Sequence, residues 1–284
     1  MLYLHHIFNG IWMIDSDYAA NFLPLISAYI KGETIPENIS GKEHKPFISV
    51  ATMQARKYTV SQWDDERPED APENSVAILN IQGAITKHNQ FCGPVGMVAQ
   101  ANLLDRCYAN DNIKGIVINM ESGGGEAYAM RIFNEAIARK NKPVVGFVND
   151  FACSAAFGNI SGCDRIVANS ELARVGSLGT YQTIADHSEY FKNQGINLIE
   201  IYATESKDKN RDFHEALKGN LEPLRKSVDV FNNVFLEQIE ANRAGKLTAD
   251  RKEWGTGKVY FAKDAIKLGL IDDIDTFENV LNYF

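Results

Sequence analysis

The sequence has no excess of positive charge. Its 29 lysines and arginines are outnumbered by 37 aspartates and glutamates, a net charge of −8, so no basic face is implied and nucleic acid is not expected as a partner. It also lacks a long hydrophobic run. The apolar stretch at the start is broken by His5, His6, Asn9, Gly10 and Asp15, far short of the ~20 residues a membrane-spanning helix needs. No signal peptide or membrane anchor is expected, and the expected compartment is the cytoplasm. Cysteine is scarce: Cys92, Cys107, Cys153 and Cys163 form no C-x-x-C pair and no metal-ligand spacing with the histidines. That pattern points to reduced thiols rather than to a disulfide frame or a metal centre. Repeats and low-complexity tracts are absent as well. What remains is a 284-residue chain, 45% hydrophobic and 23% charged, long enough for one large domain and an appendage.

The pattern changes near residue 72. Residues 1–72 read as an N-terminal arm and helix, in which Tyr18, Phe22, Leu23, Leu25, Ile26 and Ile30 form an amphipathic stripe closed by Lys31-Gly32. The stretch from Trp63 to Pro72 is charged and rich in breakers, although Phe47-Ile48-Ser49-Val50 alternates as an edge strand would. Residues 73–284 read as one domain. Strands are expected at 75–81, 114–120, 143–148, 165–168 and 197–202, with helices at 96–108 and 129–137 between them and a long one around Leu224 to Ile239. This alternation predicts an α/β fold of right-handed βαβ units with a mainly parallel sheet. In such sheets active sites gather beyond the carboxyl ends of the strands.

Two stretches occupy that position. One is Glu121-Ser122-Gly123-Gly124-Gly125, where glycines let backbone N–H groups face a cleft with no side chain in the way. A phosphate cradle is the other use of such a loop, but the lysine of a G-x-x-x-x-G-K-[ST] pattern is missing. The second stretch is Ala152-Cys153-Ser154-Ala155-Ala156, a strand end running into a helix start. Ser154 is either a cap or a nucleophile. If a nucleophile, N–H donors from Gly123 or Gly124 and from Ala155 would form an oxyanion hole. For a base, His187 lies in a turn before an amphipathic helix and reads as surface or capping, and His214 sits in a polar helical region. Lys207 and Lys209 follow the strand expected at 197–202, and a desolvated lysine can deprotonate a hydroxyl.

Seven pieces in order resemble the signal peptide peptidase A (SppA) family of serine peptidases, which has the Clp/crotonase fold, over roughly residues 75–275. They are the first strand with Gly83; the glycine loop; Lys142 to Val145; Ala152 to Phe157; Cys163 to Ala168; Val175-Gly176-Ser177-Leu178-Gly179-Thr180; and the closing Gly257 to Tyr260 with Leu268 to Asp272. The chain departs from the family's pattern at Cys153 and Ala155-Ala156 around the serine, and at Ser122 in place of proline. Gly10 to Asp15 and Gln90 to Met97 are similar to the branch encoded by phages and prophages.

The resemblance implies a Clp/crotonase-like core and a Ser–Lys dyad of Ser154 and Lys207, with Lys209 the fallback base and Ser177 orienting the amine. It implies no metal or cofactor, a homo-oligomer, and a peptide substrate lying along the edge offered by the glycine loop. It further implies processing of scaffold or capsid protein in the phage prohead of an infected bacterial host. Two alternatives share the fold. One is a non-catalytic assembly or scaffolding protein. The other is an acyl-CoA enzyme of the crotonase type.

Overall fold

The computed structural model describes residues 11–15, 27, 48–54, 57–60, 67–90 and 93–284. Of the helix expected between Tyr18 and Ile30, all but residue 27 lies outside the described residues. The strands in chain order are β1 (Ile11–Ile14), β2 (Ile48–Gln54), β3 (Lys57–Val60), β4 (Ser75–Gln82), β5 (Ile113–Ser122) and β6 (Gly124–Glu126). They continue with β7 (Val144–Cys153), β8 (Arg165–Ala168), β9 (Arg174–Gly176), β10 (Tyr181–Gln182), β11 (Val259–Phe261) and β12 (Asp273–Ile274). Nine of them form one sheet on the path β11-β9-β7-β5-β4-β2-β3, with β8 joined to β7 and β12 to β8. The pairings among β4, β5, β7, β8, β9 and β12 are parallel, which is the α/β architecture with a mainly parallel sheet that the alternation predicts. β2, in the stretch read as arm, adds to β4 antiparallel.

The central strands read as nearly continuous apolar runs because both faces are covered. On one face, α1 (Met97–Ala109) and α2 (Ala127–Ala138) turn Leu104, Met130, Phe133 and Ile137 onto the sheet. On the other, a smaller cluster of Ile78, Val117, Val145 and Val167 is closed by the C-terminal helix through Val280 and Leu281. A short helix α3 (Ala155–Ile160) follows β7 directly, and all six of its residues are buried. Beyond it come α4 (Ser188–Asn193), α5 (Arg211–Leu217) and the long α6 (Glu222–Asn242). The last of these docks through Phe235, Leu236 and Ile239.

The strand expected at 197–202 does not form. Those residues carry no strand pairing and are exposed, Ile201 at 91%. Its local pattern has β character, but a strand exists only with a ladder partner, and the described residues offer it none. A second, three-stranded sheet has the order β10-β1-β6, with β1 antiparallel to both neighbours. The last two glycines of the loop, Gly124 and Gly125, belong to strand β6.

Candidate active site

Because β5 and β7 are parallel neighbours, their carboxyl ends lie side by side, and each runs straight into the stretch singled out above. At the end of β7, Ser154 has φ 56° and ψ −124°. L-residues rarely enter that region, and holding one there costs about 1–3 kcal/mol. The surroundings enforce it. The Ser154 N–H donates to the Gly176 carbonyl at 2.7 Å, and the Ser154 carbonyl accepts from the Gly158 N–H at 3.0 Å, opening α3. Ala155 and Ala156 are fully buried, so larger side chains would not fit the turn. A strained serine on a sharp strand-to-helix turn is how hydrolase folds present a nucleophile. The Ser154 side chain is fully buried, and its Oγ has no hydrogen-bond partner among the described residues.

Gly124 meets it from the neighbouring strand. Its φ is +106°, and a Cβ there would lie 2.9 Å from Ser154 Cβ, 3.0 Å from the Cys153 oxygen and 2.2 Å from the Met13 oxygen. Only glycine allows both that backbone conformation and that approach. The Gly124 N–H donates to Ser122 Oγ at 3.1 Å, and the Gly123 carbonyl accepts from the Asp15 N–H at 2.7 Å. Ser177, next to the Gly176 that Ser154 bonds, is also left-handed with φ 52°, and its N–H donates to the Lys258 carbonyl at 2.8 Å. Ser154, Gly123, Gly124, Ala155 and Ser177 thus converge at the sheet's carboxyl end.

The two lysines do not join them. Lys207 and Lys209 lie on the exposed stretch between α4 and α5, where they line a surface hollow with Tyr202, Arg211 and His214. Neither is within hydrogen-bond distance of the Ser154 hydroxyl. His187 occupies the position before α4, exposed and edge-on to Phe191, and makes no hydrogen bond to the Ser154 hydroxyl. Among the described residues no cluster of three or more His, Cys, Asp or Glu could hold a metal ion, and no helix is long and apolar enough to cross a membrane.

Residues 136–284 match Peptidase family S49. The chain belongs to that family, and its fold is α/β with a mainly parallel sheet. It is 32% identical over 186 residues to a putative protease, MJ0651, of Methanocaldococcus jannaschii, covering 63% of this chain and 58% of the relative. It is 23% identical over 279 residues to capsid assembly protease C of Escherichia phage lambda, covering 94% of this chain and 61% of the relative. The chain therefore spans about three-fifths of the length of these two curated relatives. Among solved structures, a ClpP1 mutant from Listeria monocytogenes aligns with it at a TM-score of 0.44 and 12% identity, over 72% of this chain and 94% of that one.

In this S49 chain the residue before the serine is Cys153, and burial pushes its thiol up to about 12, with Asp15 adding in the same direction. The thiol therefore stays protonated at neutral pH and offers no competing thiolate. Asp15 acts on Tyr181 as well, whose hydroxyl is raised first by burial and then by that carboxylate. The proximity of residues 11–15 to the serine is what sequence reasoning missed. The run Ile11-Trp12-Met13-Ile14 is apolar enough for a strand, but its partner lies more than a hundred residues away, and no local pattern names a partner.

Proposed function

We propose that the chain is a serine endopeptidase in which Ser154 attacks a peptide carbonyl and Lys207, neutral in an enclosed site, takes its proton. The observation that carries this reading is the strained, buried and unpartnered Ser154 hydroxyl packed against Gly124. Backbone N–H groups of Gly123 or Gly124 and of Ala155 would hold the oxyanion. Ser177 would orient the lysine.

The base has to be delivered, and the exposed segment suggests how. Leu198, Ile199 and Ile201 are 67–91% exposed on the stretch that leads to Lys207, an apolar face of the kind that marks a protein contact. In a homo-oligomer this face is covered, and the same burial would strip water from Lys207 and favour its neutral form. The serine it reaches is its own or a neighbour's. The proposed substrates are scaffold or capsid proteins in prohead assembly, by analogy with the phage relative.

The test is labelling with a fluorophosphonate probe across protein concentration, with the adduct located by mass spectrometry. The probe is expected on Ser154. Lys207→Met should slow labelling by roughly 10²- to 10⁴-fold, whereas Lys209→Met should leave the rate within a few-fold. No labelling at any concentration would favour a non-catalytic assembly protein.

Ser122 gives a further expectation. Its hydroxyl holds the Gly124 N–H in the resting state, so an oxyanion relying on that donor must displace it. Removing a hydrogen bond of net worth ~1 kcal/mol changes a rate roughly fivefold. Ser122→Ala is therefore expected to raise kcat several-fold on a peptide substrate, at a small loss of Tm. A fall in kcat would mean that Ser122 orients the donor rather than competing for it.

A further inference from the structure

The edge of the glycine strand, where an extended substrate would add, is already taken by the chain itself. β1 lies in register against β6, with Trp12 opposite Glu126, Met13 opposite Gly125 and Ile14 opposite Gly124. Its other edge pairs with β10, Ile11 opposite Gln182 and Trp12 opposite Tyr181. These two flanking strands follow the two loops that converge on Ser154, so β1 is threaded between them as an inserted peptide would be. The Asp15 N–H bonds the Gly123 carbonyl at 2.7 Å. A Cβ placed on Gly124 would lie 2.2 Å from the Met13 carbonyl oxygen and 2.9 Å from Ser154 Cβ, so β1 and the serine crowd the same face of that glycine.

We propose that Ile11–Asp15 is an intramolecular occupant of the peptide groove, which holds the site closed until this segment is displaced. Three features support a removable plug over a permanent wall. The main-chain groups of β6 that a substrate strand would use are spent on β1, so both cannot bind at once. The plug is a short ladder outside the nine-stranded sheet, and removing it leaves that sheet's pairings intact. With β1 seated, Trp12 Nε1 and Ser154 Oγ are both buried with no partner among the described residues. Both would find partners in an open site, so the closed state is poised rather than optimised. Exchange of one strand for another of like register conserves the backbone hydrogen bonds, so an incoming peptide needs only side chains that fit better than Trp12 and Met13.

The inference rests on the peptidase reading only for its first readout, the rate of fluorophosphonate labelling in the full-length chain. Asp15→Pro deletes the N–H that bonds Gly123 and is expected to speed labelling by about tenfold or more, the factor by which freeing a mostly closed site raises its competent fraction. The paired variant Ile11→Cys with Gln182→Cys sits opposite in the ladder, at a spacing a disulfide can bridge. When oxidised it should abolish labelling, and reductant should restore it. Equal rates in wild type, Asp15→Pro and the oxidised lock would overturn the proposal.

The second readout needs no chemistry. A fluorescent peptide spanning residues 9–17 should bind Asp15→Pro in a Ser154→Ala background at least about tenfold more tightly than Ser154→Ala alone. Equal binding, or none to either, counts against the plug. A binding difference with no labelling in any variant would sink the peptidase reading and leave the plug standing. Labelling that ignores the arm would do the reverse.

Discussion

On the proposed reading, alanine in place of Ser154 is expected to lower peptide-bond cleavage by about 10⁶-fold, the loss seen when the nucleophile of a serine peptidase is removed. The loss should be chemical and not a consequence of unfolding. The hydroxyl makes no hydrogen bond among the described residues, so its removal leaves no group behind without a partner. Alanine keeps the Cβ that packs on Gly124 and adds no volume to a fully buried site. No neighbour can take over, because the Cys153 thiol, pushed up to about 12 by burial, remains protonated at neutral pH. Cleavage of a candidate scaffold or capsid protein, followed on a gel beside the thermal melts of both proteins, is the measurement. Residual turnover within tenfold of wild type would remove Ser154 from the reaction.

The second large effect concerns stability. Arg243 follows α6 and is 1% exposed. Its guanidinium donates to both Asp272 oxygens at 2.9 and 3.0 Å, and to the Gly269 carbonyl at 3.1 and 2.9 Å. Asp272 also accepts the Ile166 amide of β8 at 2.7 Å, so one ion pair ties α6, the sheet and the closing segment together. Removing one partner of such a buried pair costs about 3–5 kcal/mol. Arg243→Ala should fall near the lower figure, since Lys246 still reaches Asp272 at 3.0 Å. At roughly 2–4 °C per kcal/mol for a chain of this size, the melting temperature should drop by about 6–12 °C.

The pair also sets a pH dependence. Burial alone would raise the Asp272 carboxyl, but the hydrogen bonds from Arg243 and the Ile166 amide outweigh it and hold it below the usual carboxylate range. A carboxyl depressed in the folded state stabilises fully above its unfolded value, about 3.9, and loses that contribution as pH falls towards the folded value. The penalty of Arg243→Ala should therefore be constant at neutral pH and shrink below about pH 4. Melts of both proteins from pH 3 to 7 test this. A gap that does not narrow in acid would mean that packing of the arginine stem, and not its charge, carries the effect.

The parts of this protein that could be read from sequence are those whose cause is local. β4, β5 and β7 are apolar almost throughout because helices cover both of their faces, and the glycines beside Ser154 are required by a backbone conformation that other residues avoid. The parts that could not be read depend on partners distant in the chain. Asn197 to Tyr202 has the composition of a strand and finds no ladder partner among the described residues. Ile11 to Ile14 looks like a modest apolar run and sits against Gly124 to Glu126. Lys207 illustrates the same limit, since a lysine's protonation follows from what surrounds it, and nothing in its own neighbourhood encloses it.

The positive φ of Ser154 has an evolutionary corollary. Glycine would relax that turn without disturbing the helix behind it, so the substitution that would end the proposed catalysis also relieves the backbone, by an amount on the order of 1–3 kcal/mol. Copies of this gene freed from selection for turnover would therefore drift downhill into inert, sturdier paralogues that keep their shape. A serine retained at this position in any descendant is evidence that its hydroxyl is still in use.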